Sequence, residues 1–458
     1  MNQPLSSVLF ENARVYDGRS ETLTKPMSLL VEGNHITRVA PSVTAPEGAT
    51  VVDAGGRTLS PGFIDAHAHV MFQLSPSEGA RTDALYHALQ GAAMARLYLS
   101  RGYTTIRDAA GNSFSLKRAI DRGVTEGPRI YPSGPMFSQT SGHADLSGPA
   151  EPSRLVGGEQ SQMAKMQHHI VVDGVPEVLR GVRHALGRGA SQIKIAVGGG
   201  CGSERDPLDV TEFTSEEIEA AVRAAADWNT YVTAHVYHPA GVRRAIAAGV
   251  RCIEHGNLLD EDTLRVMRQA GTWLSPQVIV FTETPNGFTD EQAERHRQAF
   301  EGIDKMFTAA KAVGFDRIGF GSDIVTSPEL LARINEEFLH RTQWFTPAEI
   351  LRQATSNNAQ ILAMSGPRNP YPGTLGVIEE GALADLLLID GDPLTDLSIL
   401  TDPERNLALI MKDGVIFKNT LNRNTPPGLP PRTHRGAVPD RSETAPRCTT
   451  PSSRDDRI

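Results

Sequence analysis

The chain has 458 residues, a formal net charge of −9 and a composition that is 39% hydrophobic and 22% charged. The negative balance, with no basic stripe to offset it, argues against nucleic acid as a partner. No apolar run approaches the roughly 18 residues of a membrane span, so we expect no membrane association. The three cysteines are far apart and form no CxxC pair. This usage is typical of a reducing compartment, and we predict a cytoplasmic protein.

Both ends of the chain are predicted to contain short strands. Residues 1–60 hold VLFENARVYDG, then SLLVEGNHITRVA with a Gly-Asn turn, then VVDAGGRTL. Residues 373–420 hold LGVIEEG, ADLLLID and ALIMKDGVIFKN, in which Asp-Gly is a hairpin signal. We expect the two ends to pack together as one small β-sandwich domain.

Residues 61–372 are predicted to form a (β/α)8 TIM barrel, an α/β fold that takes about 250 residues. Its eight predicted strands are apolar runs near residues 63–70, 104–108, 129–135, 192–197, 230–237, 252–256, 272–280 and 317–323. Helical patterns alternate with them, including SEEIEAAVRAAADWN with Thr214 as a cap. The connection from Gly134 to about Val175 is too long for an ordinary loop. We expect it to cover the mouth of the barrel.

The composition changes from about Leu421. Residues 421–458 contain seven prolines and almost no large apolar side chains. Such a segment cannot bury enough apolar surface to offset the entropy of ordering it. We predict a disordered, solvated tail.

Six residues whose side chains can bind metal end the predicted barrel strands. The carboxyl ends of barrel strands converge on one mouth, so side chains placed there can meet around a metal ion. The first two are separated by one residue, which puts both rings on one face of a strand. The set is His67, His69, Lys194, His235, His255 and Asp323.

Lys194 lies inside QIKIAV, a run expected to be a central strand, although lysine is almost never buried without a partner. One interpretation is a snorkelling side chain whose amine reaches solvent at the strand end. The other is a desolvated, neutral amine that reacts with carbon dioxide to give a carbamate, an anion able to bridge two cations. We favour the carbamate because the other ligands stand on neighbouring strands.

These motifs resemble the amidohydrolase superfamily. The resemblance rests on HAHV, IKIAVGGG, VTAHVY, IEHGN, GFGSD and the closing EEGALADLLLIDGDP, and it covers about residues 5–420. Within the superfamily the chain resembles binuclear zinc amidases, the Xaa-Pro or Xaa-Arg dipeptidase-like metallopeptidases, which include ochratoxin-hydrolysing relatives. The lysine strand followed by VGGGCGSERDP is the most specific part. Mononuclear deaminases and imidazolonepropionases of the superfamily lack this bridging lysine.

The resemblance implies two divalent metal ions, expected to be zinc. It assigns the first ion to His67, His69 and Asp323. It assigns the second to His235 and His255, with the carbamate of Lys194 between the two ions.

The implied reaction is hydrolysis of the amide bond of a dipeptide or N-acyl amino acid, ochratoxin-like amides included. Metal-activated hydroxide would attack while Asp323 takes its proton and then protonates the departing amine. By the same likeness Tyr237 and His143 would contact the substrate, a small molecule. Their alternative interpretations are a packed tyrosine and a loop histidine. We also expect a homo-oligomer.

Two other classes of function stay open. A mononuclear deaminase or cyclic-amide hydrolase, imidazolonepropionase-like, would share the histidines and the aspartate but bind one metal and lack the lysine. A non-catalytic scaffold with the same barrel would have lost ligands, and none is missing here. The sequence does not determine the substrate, because the pocket is built from loops.

Overall fold

The computed structural model describes residues 7–74, 76–79, 81–146 and 151–421. The predicted tail lies outside the described residues, apart from Leu421. Within the described part of the chain, no helix is long and apolar enough to cross a membrane.

The strands are numbered in chain order. They are β1 Ser7–Val15, β2 Met27–Glu32, β3 His35–Ala40, β4 Thr50–Asp53, β5 Thr58–Pro61, β6 Phe63–Ala68, β7 Tyr103–Asp108, β8 Arg129–Pro132, β9 Met136–Ser138, β10 His169–Val171, β11 Ile193–Ala196, β12 Val232–Val236, β13 Cys252–His255, β14 Trp273–Ser275, β15 Leu386–Ile389, β16 Leu407–Lys412 and β17 Val415–Asn419.

The α-helices are α1 Pro76–Gly79, α2 Ala84–Ser100, α3 Phe114–Asp121, α4 Gln162–Lys165, α5 Val175–Gly187, α6 Ser215–Asp227, α7 Pro239–Ala247, α8 Glu261–Ala270, α9 Asp290–Ala312, α10 Pro328–Leu331, α11 Glu336–His340, α12 Pro347–Arg352, α13 Asn358–Ala363 and α14 Pro403–Asn406. Short 3-10 turns cover Arg154–Val156, Ile279–Phe281, Arg341–Gln343, Gly366–Arg368 and Leu397–Thr401. A π-helical turn covers Gln353–Asn357.

Both ends of the chain contribute to one eight-stranded sheet, in the order β17-β16-β15-β5-β1-β2-β3 with β4 beside β1. The ends meet where β5 pairs antiparallel with β15. This sheet has its own apolar core, which includes Phe10, Leu29 and Leu388. The ends therefore pair as expected, whereas two stacked sheets forming a sandwich remain a prediction.

The middle of the chain forms two parallel sheets, β6-β7-β8 and β10-β9-β11-β12-β13-β14. Helices lie between successive strands, as parallel pairing requires, except between β8 and β9, which belong to different sheets and are joined by residues 133–135. The segment of residues 317–323 forms only an isolated bridge, Leu274 to Ile318, and not the regular eighth strand that we predicted. Its backbone still bonds both neighbours: Gly319 N donates to Leu274 O at 2.8 Å, and Ala66 N donates to Phe320 O at 2.9 Å.

Asn358 holds this irregular segment against β6. Its Nδ2 donates to Ile64 O at 2.6 Å and to Phe320 O at 2.7 Å, and its Oδ1 accepts from Phe320 N at 2.9 Å. A buried amide thus replaces part of a strand ladder. Asp323, at the end of the segment, is brought beside the end of β6.

Two strand predictions were too long. The run near 272–280 is a strand only over Trp273–Ser275, because Pro276 has no backbone N–H to extend the ladder. The run near 129–135 ends at Pro132 for a similar reason. The described residues of the connection from Gly134 to Val175 include strands that were not predicted, since β9 pairs with both β10 and β11, and its covering of the mouth remains a prediction.

Candidate active site

The structure brings together all six predicted ligand residues. Five of them are buried, and the side chain of Asp323 is 17% exposed. The histidines stand at or directly after the carboxyl ends of their strands, whereas Lys194 is the second of the four residues of β11 and does not end its strand as predicted. His67 and His69 come from the end of β6, Lys194 from β11, His235 from β12, His255 from β13, and Asp323 from the segment of residues 317–323.

Asp323 contacts three of the histidines. Its Oδ1 lies 3.2 Å from His67 Nε2 and 3.0 Å from His69 Nε2, and its Oδ2 lies 3.7 Å from His255 Nδ1. Burial by itself would raise the pKa of Asp323, but the adjacent imidazoles hold that pKa well below its usual value. The carboxylate is therefore ionised. Ligand atoms of His67, His255 and Asp323 all lie within 4.8 Å of one another, close enough to share a metal ion.

His235 and His255 direct ring nitrogens at one another. His235 Nδ1 lies 2.7 Å from His255 Nε2. Their outer nitrogens face oxygen atoms, with His235 Nε2 3.3 Å from Gly199 O and His255 Nδ1 2.7 Å from Gln277 Oε1. Burial lowers the pKa of both rings well below the usual value, so both are neutral.

This pairing fits a bound cation. If each outer N–H donates to its oxygen, two lone pairs point into the same space, which is unfavourable unless a positive ion lies there. Imidazole nitrogens and a carboxylate are the donors that zinc prefers in proteins. The residues present therefore fit the metal chemistry expected from the sequence.

Lys194 does not snorkel to solvent. It is 1% exposed, and its Nζ lies 3.3 Å from His67 Nε2. Burial lowers the pKa of the amine. The amine thus lies beside one of the predicted ligands, and its role as a bridge remains a prediction.

Glu254 is a site residue that the sequence analysis missed. Its Oε2 lies 2.7 Å from His67 Nδ1, while its Oε1 accepts from Arg107 Nη2 at 2.6 Å and from the Thr233 hydroxyl. Burial opposes the charge on Glu254, yet the Arg107 guanidinium holds its pKa well below the usual range. A carboxylate on Nδ1 orients His67 so that Nε2 faces the ligand cluster, as is common behind metal-binding histidines.

Strand alternation does not predict Glu254 as a site residue, because consecutive residues of a strand point to opposite faces and the predicted ligand is its neighbour, His255. His255, the last residue of β13, has a φ of 70°, in the left-handed region, and its ring lies in one cluster with His67 and Asp323. Such a conformation costs a non-glycine residue about 1–3 kcal/mol. The available signal was an acidic residue inside the apolar run CIEHG.

Tyr237 and His143 both lie against the ligands. The ring of Tyr237 is buried and stacks on His255, with centroids 4.9 Å apart. The ring of His143 stacks on His235, with centroids 3.7 Å apart and an interplanar angle of 10°. The structure thus brings both predicted contact residues to the site. Their role toward a substrate remains a prediction.

Residues 58–417 match the amidohydrolase family, and the chain belongs to that family. The fold is accordingly TIM-barrel-like, and the chain is a metal-dependent hydrolase that acts on amide bonds. Ochratoxinase from Aspergillus niger is 30% identical over 384 residues, which cover 79% of this chain and 75% of that protein.

Solved structures agree with this assignment. A prolidase in complex with N-methylphosphonate-L-proline is 32% identical with a TM-score of 0.83, over 90% of this chain and 100% of that one. A Xaa-Pro dipeptidase with methionine bound in its active site is 28% identical with a TM-score of 0.77, again over 90% and 100%. The resemblance inferred from the sequence motifs is confirmed at the level of the family.

Proposed function

We propose that the chain is a binuclear zinc amidohydrolase that cleaves dipeptides or N-acyl amino acids, ochratoxin-like amides included. The observation that carries the proposal is the convergence of four imidazoles, a carboxylate and a buried lysine amine on one space. Similarity to an ochratoxinase, a prolidase and a Xaa-Pro dipeptidase supports the substrate class.

The metal ligands would be the six residues predicted from the sequence. The carbamate of Lys194 would serve as the bridge, which is consistent with a buried amine of lowered pKa. When bound, two divalent ions supply Lewis acidity for the amide carbonyl and make water acidic enough to attack near neutral pH. Glu254 orients His67 from behind.

Asp323 has the properties of the proton carrier. It is ionised, and at 17% exposed it is the most accessible of the ligand residues. In the proposed reaction one of its carboxylate oxygens accepts the proton of the attacking water. The carboxyl group then donates that proton to the leaving amine, so the enzyme returns to its starting state.

Tyr237 and His143 supply hydrogen-bond donors beside the ligands. A tyrosine hydroxyl or an imidazole N–H can donate to a developing oxyanion or to the free carboxylate of an amino acid product. Burial raises the pKa of Tyr237 well above its usual value, so the hydroxyl keeps its proton. We therefore propose that the leaving group of the substrate carries a free carboxylate.

The test combines metal analysis with a substrate panel. We expect two zinc ions per active chain, and turnover of dipeptides and N-acyl amino acids. In the parent enzyme, amidating the free carboxylate of the substrate should weaken transition-state binding by about 1–3 kcal/mol, because the charge-assisted bond from Tyr237 is lost. In Tyr237→Phe the same change of substrate should have little effect, because that bond is already absent.

Each part of the proposal can fail separately. One ion per active chain would overturn the binuclear assignment and favour the mononuclear cyclic-amide hydrolase or deaminase. Equal turnover of free and amidated substrates by the parent enzyme would remove the carboxylate from the proposal.

A further inference from the structure

The segment that follows β11, residues 198–212, packs directly on His143. It contains GGGCGSERDP, the motif that marked the lysine strand as specific, although none of its residues was predicted to be a ligand. We call it the 198–212 loop.

The loop holds His143 at three points. His143 Nδ1 lies 3.2 Å from Asp206 Oδ2 and 3.1 Å from Ser203 Oγ. The backbone N–H of His143 donates to Glu212 Oε1 at 2.9 Å. The ring also stacks on His235, so the imidazole is restrained both by the contacts at Nδ1 and by the stacking of its face. Its side chain is still 19% exposed.

Glycine permits the close approach of the loop. A Cβ on Gly200 would lie 2.0 Å from His143 Nδ1, so any side chain there would displace the ring. The backbone N–H of Gly200 donates to Asp206 Oδ2 at 2.7 Å. The same carboxylate oxygen therefore joins the turn of the loop to the imidazole.

Arg295 of α9 fastens the loop from behind. Its Nη1 donates to Gly200 O at 3.1 Å and to Asp206 O at 2.8 Å, and its Nη2 donates to Ser203 O at 2.8 Å. Three carbonyl groups are thus tied to one buried guanidinium. The loop is held as a rigid support, and Asp206 is held within it.

We propose that Asp206 is the positioning residue of His143, which it fixes with Nδ1 bound to the loop and Nε2 available to the substrate. A buried carboxylate at Nδ1 selects the neutral tautomer with its proton on Nδ1, because that N–H then donates to the carboxylate. The opposite nitrogen, Nε2, meets the substrate in a defined direction. This inference rests on the proposed function, since it takes His143 as a substrate contact.

The activity test is a double-mutant cycle with Asp206→Asn and His143→Gln. Asp206→Asn should lower kcat/KM for a dipeptide substrate about tenfold or more, because the charge-assisted bond to His143 is lost. In the His143→Gln background the same change should alter kcat/KM by less than about twofold. Metal content and Tm should match the parent, since the asparagine can still accept from Gly200 N.

Additive losses would overturn the inference, because a loop that matters only for folding acts equally with or without His143. Ser203→Ala serves as the matched control at the same nitrogen. It should cost less than Asp206→Asn, since it removes a neutral partner. An equal or larger loss in Ser203→Ala would assign the positioning to Ser203.

A spectroscopic test does not depend on activity. Long-range 15N–1H NMR of the imidazoles should show the proton of the neutral His143 ring on Nδ1 in the parent. A proton on Nε2 overturns the inference even if Asp206→Asn fails to fold. If the parent hydrolyses no amide, the proposed function fails while this spectrum still decides whether Asp206 fixes His143.

Discussion

The two walls of the site are built in different ways. The strand wall, made of His67, Glu254 and Arg107, is a chain of charged and hydrogen-bonded side chains with no solvent access. The loop wall, made of His143, Asp206 and the 198–212 loop, is held mainly through backbone groups. Arg295 donates to three carbonyls there, and glycine allows the backbone to touch the imidazole.

The difference between the two walls matches the different requirements of a metal ligand and of a substrate contact. A metal ligand must keep one nitrogen aimed at a fixed point, and a buried ion pair behind it achieves this at a high desolvation cost. A substrate contact must be reachable from the mouth, and loops provide such positions on a rigid scaffold. Changes in the strand wall should therefore act on metal binding, and changes in the loop wall on substrate turnover.

The largest loss of activity is expected for substitution of Asp323. This residue lies at the end of the segment of residues 317–323, next to the strand wall. Asp323→Asn keeps the shape of the side chain but cannot accept a proton, so kcat should fall at least about 10²-fold. Steady-state kinetics on metal-loaded protein, with metal content measured in the same sample, checks this.

Asp316→Asn is the matched control, because Asp316 lies in the preceding turn and is exposed. It should leave kcat unchanged. If Asp323→Asn retained its metal and turned over within a few-fold of the parent, Asp323 would not be the proton carrier.

A smaller effect, on metal affinity, is expected for Glu254→Gln. The substitution removes the charge behind His67, and loss of such a partner typically weakens metal affinity by about 10–100-fold. Competition with a chelator measures this affinity. Thermal unfolding of the metal-free protein should also show a lower Tm, because Arg107 loses its buried counter-charge.

Arg107→Lys separates the two consequences of that change. It disturbs the ion pair but leaves the Glu254 carboxylate on His67, so Tm should fall while metal affinity stays near that of the parent. If both variants lost metal equally, the role of Glu254 would be packing and not orientation of His67.

The smallest effect is expected in the loop wall, for Arg295→Lys. Lysine keeps the charge but cannot reach three carbonyl groups at once, because it lacks the planar fork of the guanidinium. We expect kcat/KM to fall about fivefold, within the range for one or two lost hydrogen bonds, with metal content unchanged. Hydrogen exchange of the 198–212 loop should be faster.

Arg297→Lys on the same helix is the control. Arg297 pairs with Glu294 and Glu301 at the surface, where ion pairs contribute little. It should match the parent in kcat/KM and in loop exchange. Metal loss in Arg295→Lys would show that the two walls are not separable.

Much of the site could be predicted from the chain alone. His67, Lys194 and His255 end or interrupt apolar runs, and strands of a parallel barrel must bring such ends together. The family was recognisable from the same motifs and is confirmed. The division of the ligands between two metals remains a prediction, since His255 lies as near to Asp323 and His67 as a shared ion would require.

What the sequence by itself determined is the kind of ligand at each strand end, because residue type and strand period are local properties. Only the tertiary structure decided which groups stand behind those ligands. Glu254 meets His67, and Asp206 meets His143, between segments that lie far apart in the chain. Neither contact follows from the spacing of residues in the sequence. Each depends on how the end of β13 and the 198–212 loop fold around the site.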